Sequence, residues 1–330
     1  MFGTSRHLIR RRTLLAAAGL ATTGAGSLVA GRARAAQQVR IGAVIWARDS
    51  QYWQQIEKGM RDAAAKHDAA ITVAINNRQL VMETQVVDDL VTRGIDALIL
   101  SPIDVVASAA MLRRVAARGI SVVQYNTFLK DTSIPTWNVG VDNVELGASV
   151  GREAARHIRA DLGGKATLGL ISLPPINAGS VPRRNGFMAA LKDVNVTLIG
   201  ETTASTPEQG ANGLETLLQR DPHVEIVMGC NAGSIAGAAT ASRQKHGTAK
   251  LYGIDMSGEL AEMMLDPGTT LEAVSDQQPY KIGYLSVEAA VNVRQGHAQP
   301  HEIVVPTKLY TRAQPDELHA YLDFLKSLKS

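Results

Sequence analysis

Short apolar runs alternate with amphipathic stretches along the chain almost without a break, and this alternation constrains the fold more than any other feature. Strand-like runs fall at residues 39–46, 70–75, 97–101, 121–125, 136–141, 167–172, 197–203, 224–230, 251–254 and 271–275. Helical stretches lie between them at 52–67, 81–93, 106–118, 144–161, 183–194 and 208–220. In the first of these, Ile56, Gly59, Met60 and Ala63 fall on one face while Lys58, Arg61 and Asp62 point elsewhere. Strands that are apolar throughout and separated by helices form parallel sheets covered on both faces.

The alternation occurs twice, with a change near residues 141–143, and 330 residues are too many for one ordinary core. The expectation is an α/β protein of two doubly wound parallel-sheet lobes joined by a hinge. Residues 36–141 with 278–303 form the N-terminal lobe, and 142–277 with 304–330 the C-terminal lobe. Such sheets bind ligands outside the carboxyl ends of their strands. The residues just after the strands are therefore candidates: Trp46, Tyr52, Trp53, Ser101, Asn126, Asp142, Arg183, Asn231, Asp255 and Gln277. Asp142 and Asp255 also suit the N-cap of a following helix. Trp137 is expected to pack between the lobes.

The first 35 residues read as a leader. Arg10, Arg11 and Arg12 precede Thr13, Leu14 and Leu15 in a twin-arginine export pattern, and a weakly apolar stretch rich in Ala and Gly follows. Ala33-Arg34-Ala35 supplies a small-x-small cleavage site, which makes Ala36 the first mature residue and the periplasm the destination. The leader holds six Arg and no acid, so its removal takes the formal charge from +3 to −3. That balance excludes nucleic-acid binding by bulk charge. Cys230 is the only cysteine, which rules out an intrachain disulfide and a thiolate metal site, and it reads as a buried small residue. His297 and His301 sit in a segment broken by Gly296 and Pro300, so no metal site is expected there.

Ser50-Gln51-Tyr52-Trp53, Lys58-Gly59-Met60, the run from Gly94 to Pro102, Val141-Asp142-Asn143 with Gly147, and Arg183-Arg184-Asn185-Gly186-Phe187 come in a telling order. With Asn231, Gly253-Ile254-Asp255 and Ser275-Asp276-Gln277-Gln278-Pro279, they resemble the ribose- and galactose-binding type of periplasmic solute-binding protein over nearly all of the mature chain. The resemblance implies that Tyr52 and Trp53 sandwich a ligand ring. It implies that Ser101, Asn126 and Thr127 line the first lobe, that Arg183, Asn231, Asp255 and Gln277 come from the second, and that Trp46 and Ser205 occupy further lining positions. A sugar has C–H faces that bury on aromatic rings and vicinal hydroxyls that suit forked polar partners, which fits these residue types. Asn126 and Thr127 stand where the family often has Asp-Arg, and Ser205 where an aromatic is frequent, so the sugar identity stays open.

A second resemblance, on Arg48 to Trp53, Ile176-Asn177-Ala178-Gly179 and Ser275-Asp276-Gln277, is to trimethylamine-oxide-binding proteins that partner membrane sensor kinases. Those hold a methylated head among aromatics, whereas Asn143 and Asp255 stand here at positions where further aromatics are expected. The main reading is the substrate-binding component of an ABC importer for a small sugar or polyol. The alternative is a ligand sensor for a membrane kinase or chemoreceptor. No Gly-rich dinucleotide turn, nucleophile elbow or Walker loop follows the strands, so no enzyme and no cofactor are expected. The protein is expected to act as a monomer toward an inner-membrane permease or receptor.

Overall fold

The computed structural model describes residues 38–175 and 177–328. The leader read over 1–35, and Ile176 of the second resemblance, lie outside the described residues. The chain begins β1 (Arg40–Ile45), α1 (Gln51–Lys66), β2 (Ala70–Ile75), α2 (Leu80–Thr92), β3 (Ala97–Leu100), α3 (Ala107–Ala117), β4 (Ser121–Tyr125) and β5 (Thr136–Gly140). It continues through α4 (Asn143–Asp161), β6 (Lys165–Ser172), α5 (Ser180–Ala190), β7 (Asn195–Thr203), α6 (Pro207–Arg220), β8 (Ile226–Gly229), α7 (Ala232–Gln244), β9 (Lys250–Ile254), α8 (Gly258–Leu265) and β10 (Leu271–Asp276). It ends with α9 (Pro279–Arg294), β11 (Glu302–Val304), β12 (Lys308–Thr311) and α10 (Pro315–Ser327).

Two six-stranded sheets result, in the orders β11-β5-β4-β3-β1-β2 and β12-β10-β9-β8-β6-β7. The second order repeats the first, strand for strand. All pairings are parallel except β10 with β12, an antiparallel edge that the strand–helix alternation did not anticipate. The chain passes between the sheets after β5, after β10 and after β11. Val304, placed with the second lobe in the sequence reading, pairs with Gly140 in the first sheet.

Each face of each sheet carries its own apolar cluster. Ile56 and Met60 of α1 pack with Ile282 of α9 on one face of the first sheet, and Leu112 and Val115 of α3 cover the other. Leu146 of α4 and Phe187 of α5 cover one face of the second sheet, while Leu217, Ile235, Leu260 and Leu318 cover the opposite face. A central strand such as β3 is buried at every position, which explains why it reads as an unbroken apolar run. The helices that flank the cleft pack unusually close. A Cβ on Gly59 of α1 would lie 2.0 Å from the Tyr280 carbonyl oxygen of α9, and one on Gly147 of α4 would lie 1.9 Å from the Arg183 carbonyl oxygen of α5. Glycine at these positions fixes the depth at which each helix pair interlocks.

Candidate ligand-binding cleft

The residues at the carboxyl ends of the two sheets face each other. Gln51, at the start of α1, accepts a 2.7 Å hydrogen bond on Oε1 from the Gly258 amide at the start of α8. Gln55 Nε2 donates to the Tyr321 hydroxyl at 3.3 Å. These contacts hold the edges of the two lobes together.

On the first-lobe side, Trp46 follows β1 and its indole N–H donates to the Ser101 carbonyl at 2.8 Å. Its ring stacks on Trp53 at 5.3 Å, and Tyr52 meets Trp53 edge-on at 5.0 Å. The Tyr52 hydroxyl donates to Asn126 Oδ1 at 3.2 Å, and Asn126 Nδ2 donates to the Ser101 hydroxyl at 3.2 Å. Thr127 Oγ1 lies 3.5 Å from the same amide nitrogen. Six of the expected residues thus form one connected wall. Burial pushes the Tyr52 phenol far above its usual range; Asp255 adds to that shift and Arg183 opposes it. Those two side chains belong to the other lobe, so the walls converge.

On the second-lobe side, Arg183 sits in the first turn of α5 and is 5% exposed. Its Nε donates to Asn143 Oδ1 at 2.9 Å, and its Nη1 donates to the Cys230 carbonyl at 3.0 Å and to Asp255 Oδ2 at 3.1 Å. Nη2 has no protein partner among the described residues. Gln277 Nε2 donates to the other oxygen, Asp255 Oδ1. The α8 cap is Ser257, whose hydroxyl accepts from the Leu260 amide at 3.2 Å, so Asp255 is released from the capping role its position also suited. Asp255 lies at φ +70°, and Asn126, after β4, at φ +60°; both are in the left-handed region that disfavours most side chains.

Other expected residues are used differently. Asp142 is exposed and caps α4, accepting from the Val144 and Glu145 amides at 2.8 and 3.1 Å, and its hydrogen bonds stay within its own helix. Asn231 caps α7 through the Ser234 amide at 2.9 Å and donates to the Ser205 carbonyl at 2.9 Å, which ties those two residues to each other. Trp53 is 6% exposed and belongs to the core of the first lobe, so Trp46 and Tyr52 present more of their rings than it does. Trp137 stacks on His301 at 5.3 Å within the first lobe and does not pack between lobes. Cys230 is fully buried, and burial pushes its thiol up to about 11, which leaves it inert as a nucleophile. The sequence reading missed Asn143, which orients the Arg183 guanidinium, and Gln51, which bridges the lobes. Both stand inside motifs singled out for their neighbours, and only tertiary distance gives them a role.

A chain with this cleft can hold a small polar molecule between flat rings on one side and a forked donor–acceptor set on the other. Comparison with known proteins agrees with the fold. Residues 41–298 match the family model described as periplasmic binding protein domain. The chain is 28% identical over 323 residues to the ABC transporter periplasmic-binding protein YphF of Escherichia coli K12, covering 94% of each. It is 25% identical over 277 residues to the ribose import binding protein RbsB of Bacillus subtilis 168, covering 84% of this chain and 88% of that one. A periplasmic solute-binding protein of Actinobacillus succinogenes 130z, solved with bound D-allose, superposes with a TM-score of 0.77 at 19% identity, over 85% of this chain and all of that one. The match to the family model spans most of the described residues, and the chain belongs to the periplasmic binding protein domain family.

Proposed function

We propose that the chain is the periplasmic substrate-binding component of an ABC importer and that it binds a small sugar or polyol, without altering it, in the cleft between the two sheets. The observation that carries this reading is the Arg183–Asp255–Gln277 network facing Tyr52 and Asn126. Vicinal hydroxyls can donate to Asp255 and accept from Arg183 Nη2, while a C–H face lies on Trp46 or Tyr52. The ribose and D-allose named for the similar proteins are ligands of this kind.

In this reading Trp46, Tyr52, Ser101, Asn126 and Thr127 line the first lobe, and Arg183, Asp255 and Gln277 the second. Asp142, Ser205 and Asn231 shape the rim through their caps and Trp53 backs the aromatic wall. The lobes are residues 36–141 with 278–305 and residues 142–277 with 306–330, Val305 being buried in the first core and donating to the Gly140 carbonyl. The ligand shifts a hinged equilibrium toward the closed form. The leader over 1–35 is cleaved near Ala35–Ala36 after twin-arginine export, and the mature monomer delivers its ligand to an inner-membrane permease.

The test is calorimetric titration of mature protein, refolded to strip ligand, with D-ribose, D-allose, D-galactose, xylitol, myo-inositol and trimethylamine N-oxide. Saturable binding of one sugar or polyol per chain is expected, lost in Asp255→Asn. Binding of only the methylated amine would replace the proposal with the sensor reading. Sugar binding that survives Asp255→Asn would remove the assigned site.

A further inference from the structure

Five of the chain's fourteen aromatic residues gather away from the cleft, around a cavity of about 450 Å³. Tyr280 and Tyr284 come from α9, Tyr310 from β12, and Tyr321 and Phe324 from α10. Helix α9 packs on the first sheet while β12 is an edge of the second, so the walls belong to both lobes. Tyr280 meets Phe324 edge-on at 5.5 Å across that divide, and Tyr310 lies 5.1 Å from Tyr321. None of the residues assigned to hold the ligand lines this cavity, although Gln55 and Tyr321, which join the lobe edges, do.

Its polar groups are few and unequal. Asp276, 3% exposed, is engaged by the backbone amides of Met256, Gln277 and Gln278. Lys308 is held by Glu317 at 3.1 Å and lies 4.6 Å from the Tyr310 ring centroid. Tyr310 differs. It is 6% exposed, lines the cavity, and its hydroxyl has no hydrogen-bond partner among the described residues. That oxygen is not among the buried unpartnered polar atoms of the described residues, so it is not sealed into the core; it opens on the cavity and is free to pair with an occupant. The volume falls in the range of small-molecule sites, and the lining has their pattern of rings with a few placed polar atoms. Asp276 disfavours an anion in this cavity, and Lys281 and Lys308 at its edge disfavour a cation.

We propose that this cavity is a second small-molecule site, taking a neutral planar ring compound of phenol or indole size whose one hydroxyl or ring N–H pairs with Tyr310. Because the walls come from both lobes, an occupant stabilises the lobe arrangement in which Tyr280 touches Phe324. Solute affinity in the cleft and ring affinity here are then linked reciprocally.

Equilibrium dialysis of the mature protein against indole and, separately, phenol tests this, with Ala320→Phe, Tyr310→Phe and Asp255→Asn alongside. Ala320 is an exposed residue on the cavity wall, so the larger ring blocks the space without entering the core. One saturable site is expected for at least one probe, abolished by Ala320→Phe, about tenfold weaker in Tyr310→Phe, and unchanged in Asp255→Asn. Absence of saturable binding overturns the proposal, and so does binding indifferent to both cavity substitutions. Binding lost in Asp255→Asn would place the probe in the cleft and equally overturn it.

Discussion

Asn126 and Asp255 occupy the same position in the two lobes. Each is the first residue after the fourth strand of its sheet, and each is held at positive φ, +60° and +70°. Their side chains then turn toward the cleft's two networks, Asn126 to Tyr52 and Ser101, Asp255 to Arg183 and Gln277. The repeated backbone geometry places one amide and one carboxylate at equivalent points of opposing walls. Asn and Asp are the non-glycine residues that adopt this conformation most readily.

Asn126→Gly should therefore melt close to the parent, whereas Asn126→Ala should lose about 1 kcal/mol from the strained backbone alone. Both remove the Tyr52 partner and should weaken solute binding alike. Urea denaturation compared with calorimetric affinity separates the two effects; equal stability of the two variants would contradict the backbone argument.

Arg183 and Asp255 form a largely buried ion pair, with side chains 7% and 16% exposed. Removing one partner leaves an uncompensated charge. Arg183→Met should cost about 3 kcal/mol in urea unfolding. The double exchange Arg183→Met with Asp255→Asn should recover part of that loss, and a double variant no more stable than the single one would show the pair is not coupled.

Asp276 carries a pH signature. Burial, and then the neighbouring Asp255, push its carboxyl up to about 7, against the pull of three backbone amides. Its value in the unfolded chain is about 3.9. Between those values the folded protein keeps a proton that the unfolded protein releases, so this group's contribution to stability falls as pH rises from about 4 to about 7. Asp276→Asn should remove that contribution. The stability of the variant relative to the parent should increase from pH 4.5 to pH 8 by a few kcal/mol, and a difference that stays flat across this range would refute the assignment.

Glu83 is fully buried between α2 and the turn after β3. It accepts from the Ser108 hydroxyl at 2.5 Å, the Ile103 amide at 2.9 Å and Asn76 Nδ2 at 3.3 Å. Glu83→Ala strands those donors and should cost about 3 kcal/mol or more. Hydrogen exchange should show residues 101–108 opening first in the variant; uniform loss of protection across the lobe would argue against a local staple.

Much of the fold was legible because its strands are buried on both faces. The run expected at 121–125 coincides with β4, buried from Val122 to Tyr125, while the run at 70–75 coincides with β2, an edge strand with no buried residue that reads through its β-branched residues instead. Helix α5 begins three residues before the expected 183, because Ser180 fastens its start to the Leu173 carbonyl at 2.6 Å, a contact set by the loop before it. β11 and β12 went unseen: they have three and four residues, flank Pro306, and owe their strand character to the edges of β5 and β10. In the cleft, strand ends located Trp46, Asn126 and Asp255. The capping of Asn231 and the guanidinium contact of Asn143 depend on which groups meet in space, and Trp53 and Trp137 show that an aromatic's position along a strand or helix does not say what its ring will touch.

The interlocked pair of α1 and α9 joins residues made early with residues made late. Helix α9 spans Pro279–Arg294, and the β11 strand that completes the first sheet ends at Val304. A nascent chain still short of that point displays the α1 face and the β5 edge bare. The first sheet is thus finished by residues synthesised after β6 to β10 of the second, so the lobe that starts first cannot be completed before most of the other has been made.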